Sequence, residues 1–181
     1  MTTFDSAGPT PRPSVVAALG AAILALAAPA ATNAAELGAP TGPVLLTVAG
    51  AIAHANADGA AAFDREMLES LPQVAFTTST IWTEGAHVFS GPTLWSVLEA
   101  AGAEGSELAA LALNDYKVSF PVSDVTDAAP IVATRIDGEE FGVRDKGPLW
   151  IVYPYDSSVD YRTEVVFGRS VWQLVRIEVS D

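Results

Sequence analysis

The run Leu149-Trp150-Ile151-Val152-Tyr153, closed off by Pro148 before it and Pro154 after it, constrains the fold of this chain more than any other stretch. Consecutive large aliphatic, β-branched and aromatic residues leave no polar face for water. The segment therefore reads as a short strand buried on both faces and central to a core. Just upstream, Arg144-Asp145-Lys146-Gly147 puts two of the chain's few cations on a turn that glycine and proline let bend sharply. Two readings stay open at this point. The loop is either a solvated turn whose cations answer surrounding carboxylates, or a place where an anion docks on a buried strand.

The 181 residues, half of them hydrophobic, suffice for one domain whose core needs no staples. Nothing between Arg12 and Glu36 is charged, and Val15 to Ala28 is a continuous run of Val, Ala, Leu, Ile and one Gly. This is the pattern of a signal-peptide apolar region, short of the ~20 residues that cross a bilayer comfortably. Ala28-Pro29-Ala30 and Thr32-Asn33-Ala34 each supply a small-x-small site, so cleavage is expected after Ala30 or Ala34. The expected organisation is a signal peptide over 1–34, a Gly- and Pro-containing linker over 35–43 and a domain over 44–181. The mature protein would be periplasmic or secreted. An uncleaved N-terminal membrane anchor is the alternative, because Arg12 is the only base ahead of the apolar run and Asp5 opposes it.

Asp5 and Arg12 cancel, so the formal net charge of −13 falls entirely on the chain from Glu36 onward. That acidity argues against nucleic acid and anionic lipid as partners. The chain has no cysteine, hence no disulfide, no thiolate nucleophile and no thiolate metal ligand. His54 and His87 stand far apart, without metal-binding spacing, and read as surface or satisfied histidines. No GxGxxG, GxxxxGK[ST] or GxSxG motif occurs, which removes phosphate-cradling loops and the serine-hydrolase elbow. Glu139 and Glu140 are strand neighbours pointing opposite ways, a poor acid/base pair. No residue presents itself as catalytic or as a metal ligand.

In order along the chain, Val44 to His54 is strand-like, and Asp64 to Leu71 carries helical spacing with acids in its first turn, stopped by Pro72. Gln73 to Thr80 alternates Val74 and Phe76 with polar residues and reads as a strand. Val88 to Gly91 reads as a strand end, with Pro92 placed as the first residue of a helix that spaces Leu94, Val97, Leu98 and Ala101 on one face and ends at Gly102. Trp95 lies on its flank. Leu108 to Leu113 and Lys117 to Val122 are strands joined by Asn114-Asp115-Tyr116, with Ser123 a cap for a short helical turn. Ile131 to Thr134 is another strand, and Asp137-Gly138 signals a tight hairpin. Asp156 to Arg162 is an irregular polar loop, and Val171 to Val179 is the closing strand with Trp172, Leu174, Ile177 and Val179 in alternation. The expected class is α+β: a mixed, mostly antiparallel sheet with two or three short helices.

From Val44 to Val179 the order of these segments resembles the molybdopterin-binding domain of sulfite-oxidase-type oxidoreductases in a short stand-alone form. Trp82, Phe89-Ser90-Gly91-Pro92-Thr93-Leu94 and Leu98-Glu99-Ala100-Ala101-Gly102 are similar to that family's W…W-x-G-x-x-L…LL-x-x-A-G. Asn114-Asp115-Tyr116…Pro121 resembles its D-G-Y…P bend, Arg135-Ile136-Asp137-Gly138-Glu139 its M-N-G-E hairpin, and Gly147-Pro148-Leu149…Pro154 its G-x-P-x-R-x-x-x-P core. The resemblance implies a cofactor cleft lined by Thr77, Thr78, Ser79, Trp82, Asn114, Asp115, Tyr116, Arg144 and Lys146. It also implies molybdopterin as the cofactor, with the metal-ligating cysteine falling on Thr78, where a neutral hydroxyl is a poor substitute for a soft thiolate. The leader, moreover, is of a kind that exports an unfolded chain, whereas this cofactor is inserted into folded protein. Two functions follow as expectations. One is a domain without molybdenum chemistry whose cleft binds a small anionic ligand or which serves a periplasmic or membrane protein partner. The other is an active molybdopterin-dependent oxidoreductase with the metal held by the dithiolene alone and with Tyr116, Arg144 and Lys146 near the substrate.

Overall fold

The computed structural model describes residues 1–3 and 37–181. The expected leader and its cleavage sites lie outside these residues, and the fold described below is that of 37–181.

Three sheets and three short helices make up this unit. The largest sheet holds β1 (Leu46–Gly50), β2 (Ala61–Phe63), β5 (Glu107–Ala112), β6 (Lys117–Pro121) and β11 (Leu174–Ser180), in the spatial order β2-β1-β11-β5-β6. A second sheet pairs β3 (Gln73–Ser79), β4 (Ala86–Pro92), β8 (Arg135–Ile136) and β9 (Glu139–Glu140) in that order. β7 (Ile131–Ala133) and β10 (Trp150–Val152) form a buried two-stranded ladder. Only β1 and β11 run parallel, with Thr47 opposite Arg176. The other strand pairs are antiparallel. The class is α+β with a mostly antiparallel arrangement, as the segment order leads one to expect.

The run that opened the sequence reading lies at the centre. Leu149, Trp150, Ile151 and Val152 are completely buried, and Ile151 N–H donates to the Val171 carbonyl at 2.9 Å, tying β10 to the segment before β11. Gly147 leads into this strand through a gap with no room for a side chain, because a Cβ there would collide with the Phe141 carbonyl.

Helix α1 (Arg65–Ser70) is capped by Asp64, whose carboxylate accepts from Met67 N at 2.9 Å and from Thr41 N and Gly42 N at 2.7 and 2.8 Å. The segment read as a linker is therefore fastened to the first helix. These amide donors hold the Asp64 carboxyl below its ordinary pKa. Helix α2 (Leu94–Ala100) is capped by Thr93, which accepts from Ser96 N at 3.1 Å, and it buries Leu94, Val97 and Leu98 along the expected face. Pro92, expected as the first helical residue, is instead the last residue of β4. Thr93 wins the boundary because its hydroxyl satisfies an amide that would otherwise lack a partner. Ser123 lies within the 3-10 turn Val122–Asp124 and makes no capping bond. The hairpin at Asp137-Gly138 forms as expected, with φ of 53° and 85° at the two positions.

Two elements depart from the sequence reading. Helix α3 (Glu164–Gly168) follows Thr163, whose hydroxyl accepts from Val166 N, although its Val165-Val166-Phe167 core has the composition of a strand. The closing strand begins at Leu174 and not at Val171, with a register shift between Leu174 and Arg176. Among the described residues no helix is long and apolar enough to cross a membrane.

Candidate functional site

A cleft of about 340 Å³ opens where three chain segments meet. Trp82 comes from the β3–β4 connection, where the Thr80 hydroxyl accepts the N–H groups of Trp82 and Thr83 at 3.0 Å each and fixes the turn. Asn114 and Tyr116 come from the β5–β6 hairpin. There Asp115 takes a left-handed φ of 65°, and the Asn114 side-chain oxygen accepts from Tyr116 N at 3.3 Å. Phe167 and Gly168 from α3, followed by Ser170 and Trp172, complete the wall. Tyr116 Oη donates to the Gly168 carbonyl at 2.8 Å and joins the hairpin to the helix across the cleft.

Behind this wall lies an aromatic cluster. Trp82 meets Trp150 edge to face at 5.8 Å between centroids and Phe167 at 5.9 Å, and Phe89 packs on the other side of Trp150 at 5.5 Å. Such pairs add to plain burial because ring edges and faces carry opposite partial charge. Tyr155 stacks at a tilt on Phe167 at 5.3 Å and donates to Ser170 Oγ at 2.6 Å. Burial pushes its phenol up to about 12. Burial also raises the neighbouring Tyr153 phenol, and Trp150 Nε1 has no hydrogen-bond partner among the described residues.

A polar lock stands beside the cluster. Asp156 accepts from Ser79 N at 2.6 Å and from Ser79 Oγ at 2.9 Å, and it pairs with the Arg162 guanidinium. The Ser79 bonds, backbone first, and then Arg162 hold the Asp156 carboxyl below its usual range. Thr78 Oγ1 accepts from Asp156 N at 3.1 Å and donates to the Ser79 carbonyl at 3.2 Å.

The nine residues singled out from sequence thus separate into groups. Trp82, Asn114 and Tyr116 line the cleft. Asp115 is at the exposed hairpin tip, and Thr77 is exposed on β3. Thr78 is completely buried, and Ser79 is bound to Asp156. Arg144 is exposed on the 3-10 turn Val143–Asp145, and half-buried Lys146 follows it with φ of 71°. The Lys146 carbonyl accepts from Gln173 N at 2.9 Å, which brings this loop next in sequence to the cleft wall at Trp172. Neither cation joins an ion pair among the described residues. Sequence reasoning missed Phe167, Gly168, Ser170 and the Asp156–Arg162 pair. Thr163 three residues before Val166 is the one local signal, a helix cap, that marks where α3 enters.

No protein-family model matches the chain, and no curated protein matches it. Among solved structures it is similar to the sulfane dehydrogenase SoxCD from Paracoccus pantotrophus, at 19% identity and a TM-score of 0.55. The match covers 75% of this chain and 38% of that one. The fold is of the sulfite-oxidase type. At this identity the likeness concerns architecture alone, and the chain spans well under half of the matched chain's length.

The residues present do not fit the molybdenum centre that the resemblance in sequence implies. The chain has no cysteine, and the Thr78 hydroxyl is buried and committed to backbone partners. Among the described residues no group of three or more His, Asp or Glu side chains could hold a metal. None of the residues lining the cleft is charged, so the cleft itself offers no cation to a phosphate. What it offers is aromatic faces, the Asn114 amide and the Tyr116 hydroxyl.

Proposed function

We propose that this chain is an exported binding module built on the sulfite-oxidase-type fold. Its cleft takes a small ligand, for itself or for a partner protein, without molybdenum chemistry of its own. The observation that carries this reading is the lining of the cleft: aromatic rings and neutral hydrogen-bonding groups, in a chain that has no thiolate to give a metal. An apolar or aromatic body laid against Trp82, Phe167 and Trp172 suits such walls. The Arg144–Lys146 loop, adjoining Trp172 through Gln173, supports a ligand that carries an anionic end. Domain 44–181 is the binding unit, and residues 1–34 are the part removed on export.

Protein purified from its native host tests the reading. The expected result is no molybdenum and no pterin, with an N-terminus after Ala30 or Ala34 by mass spectrometry. Molybdenum and pterin close to one per chain would establish the oxidoreductase instead. Titration with a pterin phosphate should quench tryptophan fluorescence and raise the melting temperature. Trp82→Ala should abolish both responses. A charge-assisted hydrogen bond is worth about 1.5 to 3 kcal/mol, so Lys146→Ala should weaken binding about tenfold to a hundredfold. An unchanged affinity in Lys146→Ala returns the loop to a solvated turn.

A further inference from the structure

The backbone strain that turn chemistry does not explain lies beside the cleft. Among the described residues, five that are not glycine take a left-handed φ. Three of them, Asp58, Asp115 and Asp137, are aspartates in tight turns, a residue type that accepts this conformation readily. The other two are Lys146 at 71° and Gln173 at 53°, long side chains of a kind that rarely adopts it. Lys146 ends the 3-10 turn Val143–Asp145, and Gly147 N donates back across it to the Gly142 carbonyl at 2.8 Å. At such an end glycine is the ordinary terminator, and here a lysine takes its place.

These two strained residues are bonded to each other. Gln173 N donates to the Lys146 carbonyl at 2.9 Å, and Gln173 Nε2 donates to the Val143 carbonyl at 2.7 Å, so one residue grips the cationic turn at both ends. The Gln173 carbonyl accepts from Leu113 N at 2.9 Å, between the cleft residues Ala112 and Asn114, and Trp172 of the cleft wall precedes Gln173 in the chain. Gln173 thus bolts the turn to two segments of the cleft lining. A strained conformation persists only where its surroundings over-determine it, and such residues gather at ligand sites. A glycine at 173 would keep the backbone bonds with less strain. What the glutamine adds is the amide bond to Val143, which fixes the far end of the turn.

We infer, on the footing of the ligand with an anionic end proposed above, that Gln173 is a positioning residue. It holds the Arg144–Lys146 turn in register with the cleft, so that the Lys146 ammonium meets the anionic end of the ligand. The Gln173 amide is spent on Val143 and acts on the ligand through the lysine. Lys146 joins no ion pair among the described residues, which leaves its charge for this use. A turn fixed before binding reduces the ordering cost that a lysine on a loose turn would meet.

Calorimetric titration with a pterin phosphate, and with the same pterin lacking its phosphate, tests this. Wild type should prefer the phosphate form. Gln173→Gly should weaken binding of the phosphate form about tenfold and bind the phosphate-free form as wild type does. Gln173→Asn, which accepts a left-handed φ but is too short to reach the Val143 carbonyl, should do the same. In a Lys146→Ala background, Gln173→Gly should cost nothing more, because the two residues act as one unit. Both single variants should keep the circular dichroism spectrum of wild type. Equal weakening of the two ligands, or losses that add in the double variant, would make Gln173 a purely structural residue and overturn the inference. A phosphate preference that Lys146→Ala abolishes and Gln173→Gly keeps overturns it too, while leaving the anionic-ended ligand standing. A wild-type protein with no phosphate preference overturns both.

Discussion

The aromatic cluster behind the cleft and the polar lock beside that cluster are held together in opposite ways. On one side Trp82, Trp150, Phe89 and Phe167 interlock edge to face around the completely buried Trp150. On the other, Thr78, Ser79, Asp156 and Arg162 are joined by hydrogen bonds and one ion pair, with Asp156 and Arg162 exposed. Burial of apolar surface is insensitive to pH, whereas a surface carboxylate holds its partners only while ionised. The difference teaches that the aromatic side fixes where the cleft is, and the polar side fixes how the β3 end meets the 155–162 loop.

The strongest break in that contrast is Trp150→Ala. Removing a fully buried indole should cost about 3 to 5 kcal/mol, read as a lower denaturation midpoint of similar size at pH 5 and pH 8. Trp150→Phe should cost much less, because the buried Nε1 it removes has no partner among the described residues to lose. Equal losses in the two variants would mean that an unseen partner holds the indole nitrogen.

Asp156→Asn acts on the other side and should have a smaller effect with a pH signature. The folded-state pKa of Asp156 is depressed below its ordinary 3.8. Its contribution to stability is therefore present above that value and disappears as pH falls through the folded pKa. The gap in melting temperature between wild type and Asp156→Asn should be open at pH 7 and closed at acid pH. A gap that persists in acid would place the effect in packing and not in charge.

The smallest expected effect is at the Asp137 hairpin, where His87 of β4 lies opposite Thr78 of the lock. His87 Nδ1 lies 2.7 Å from Asp137 Oδ2, and that hydrogen bond raises the His87 pKa above its ordinary 6.5. The sign is reversed here. The stabilisation is complete below 6.5 and fades as pH rises through the folded pKa. Melting temperatures of His87→Gln should fall short of wild type at pH 5.5 and converge with it at pH 8.5.

Trp82 and the strand that carries Trp150 were legible in the sequence, whereas Phe167 and the Asp156–Arg162 pair were not. Leu149 to Tyr153 could only be a buried strand, and the spacing of Leu94, Val97, Leu98 and Ala101 could only be a helix face, because each pattern encodes its own burial. Trp82, Asn114 and Tyr116 were reached through segment order. The Ser79–Asp156 bond joins residues far apart in the chain, and nothing in the composition of either segment indicates the other. Helix α3 was hidden for a different reason: Val165, Val166 and Phe167 favour a strand locally, and the Thr163 cap together with the packing of Phe167 on Trp82 and Tyr155 prevails over that preference. Without α3, Phe167 and Gly168 of the cleft wall could not be placed.

The position of β11 has a consequence for the order of assembly. It lies between β1 and β5, so the middle of the five-stranded sheet is supplied by its last strand to be synthesised. Until Leu174 to Ser180 is in place, β1 and β5 are two half-sheets with open inner edges, and the contacts that join them are among the longest in sequence separation. A nascent chain of this topology has its N-terminal strands waiting, unable to complete the sheet stepwise as they emerge. Completion is a single late event, the insertion of one strand into a slot that the earlier ones have left between them.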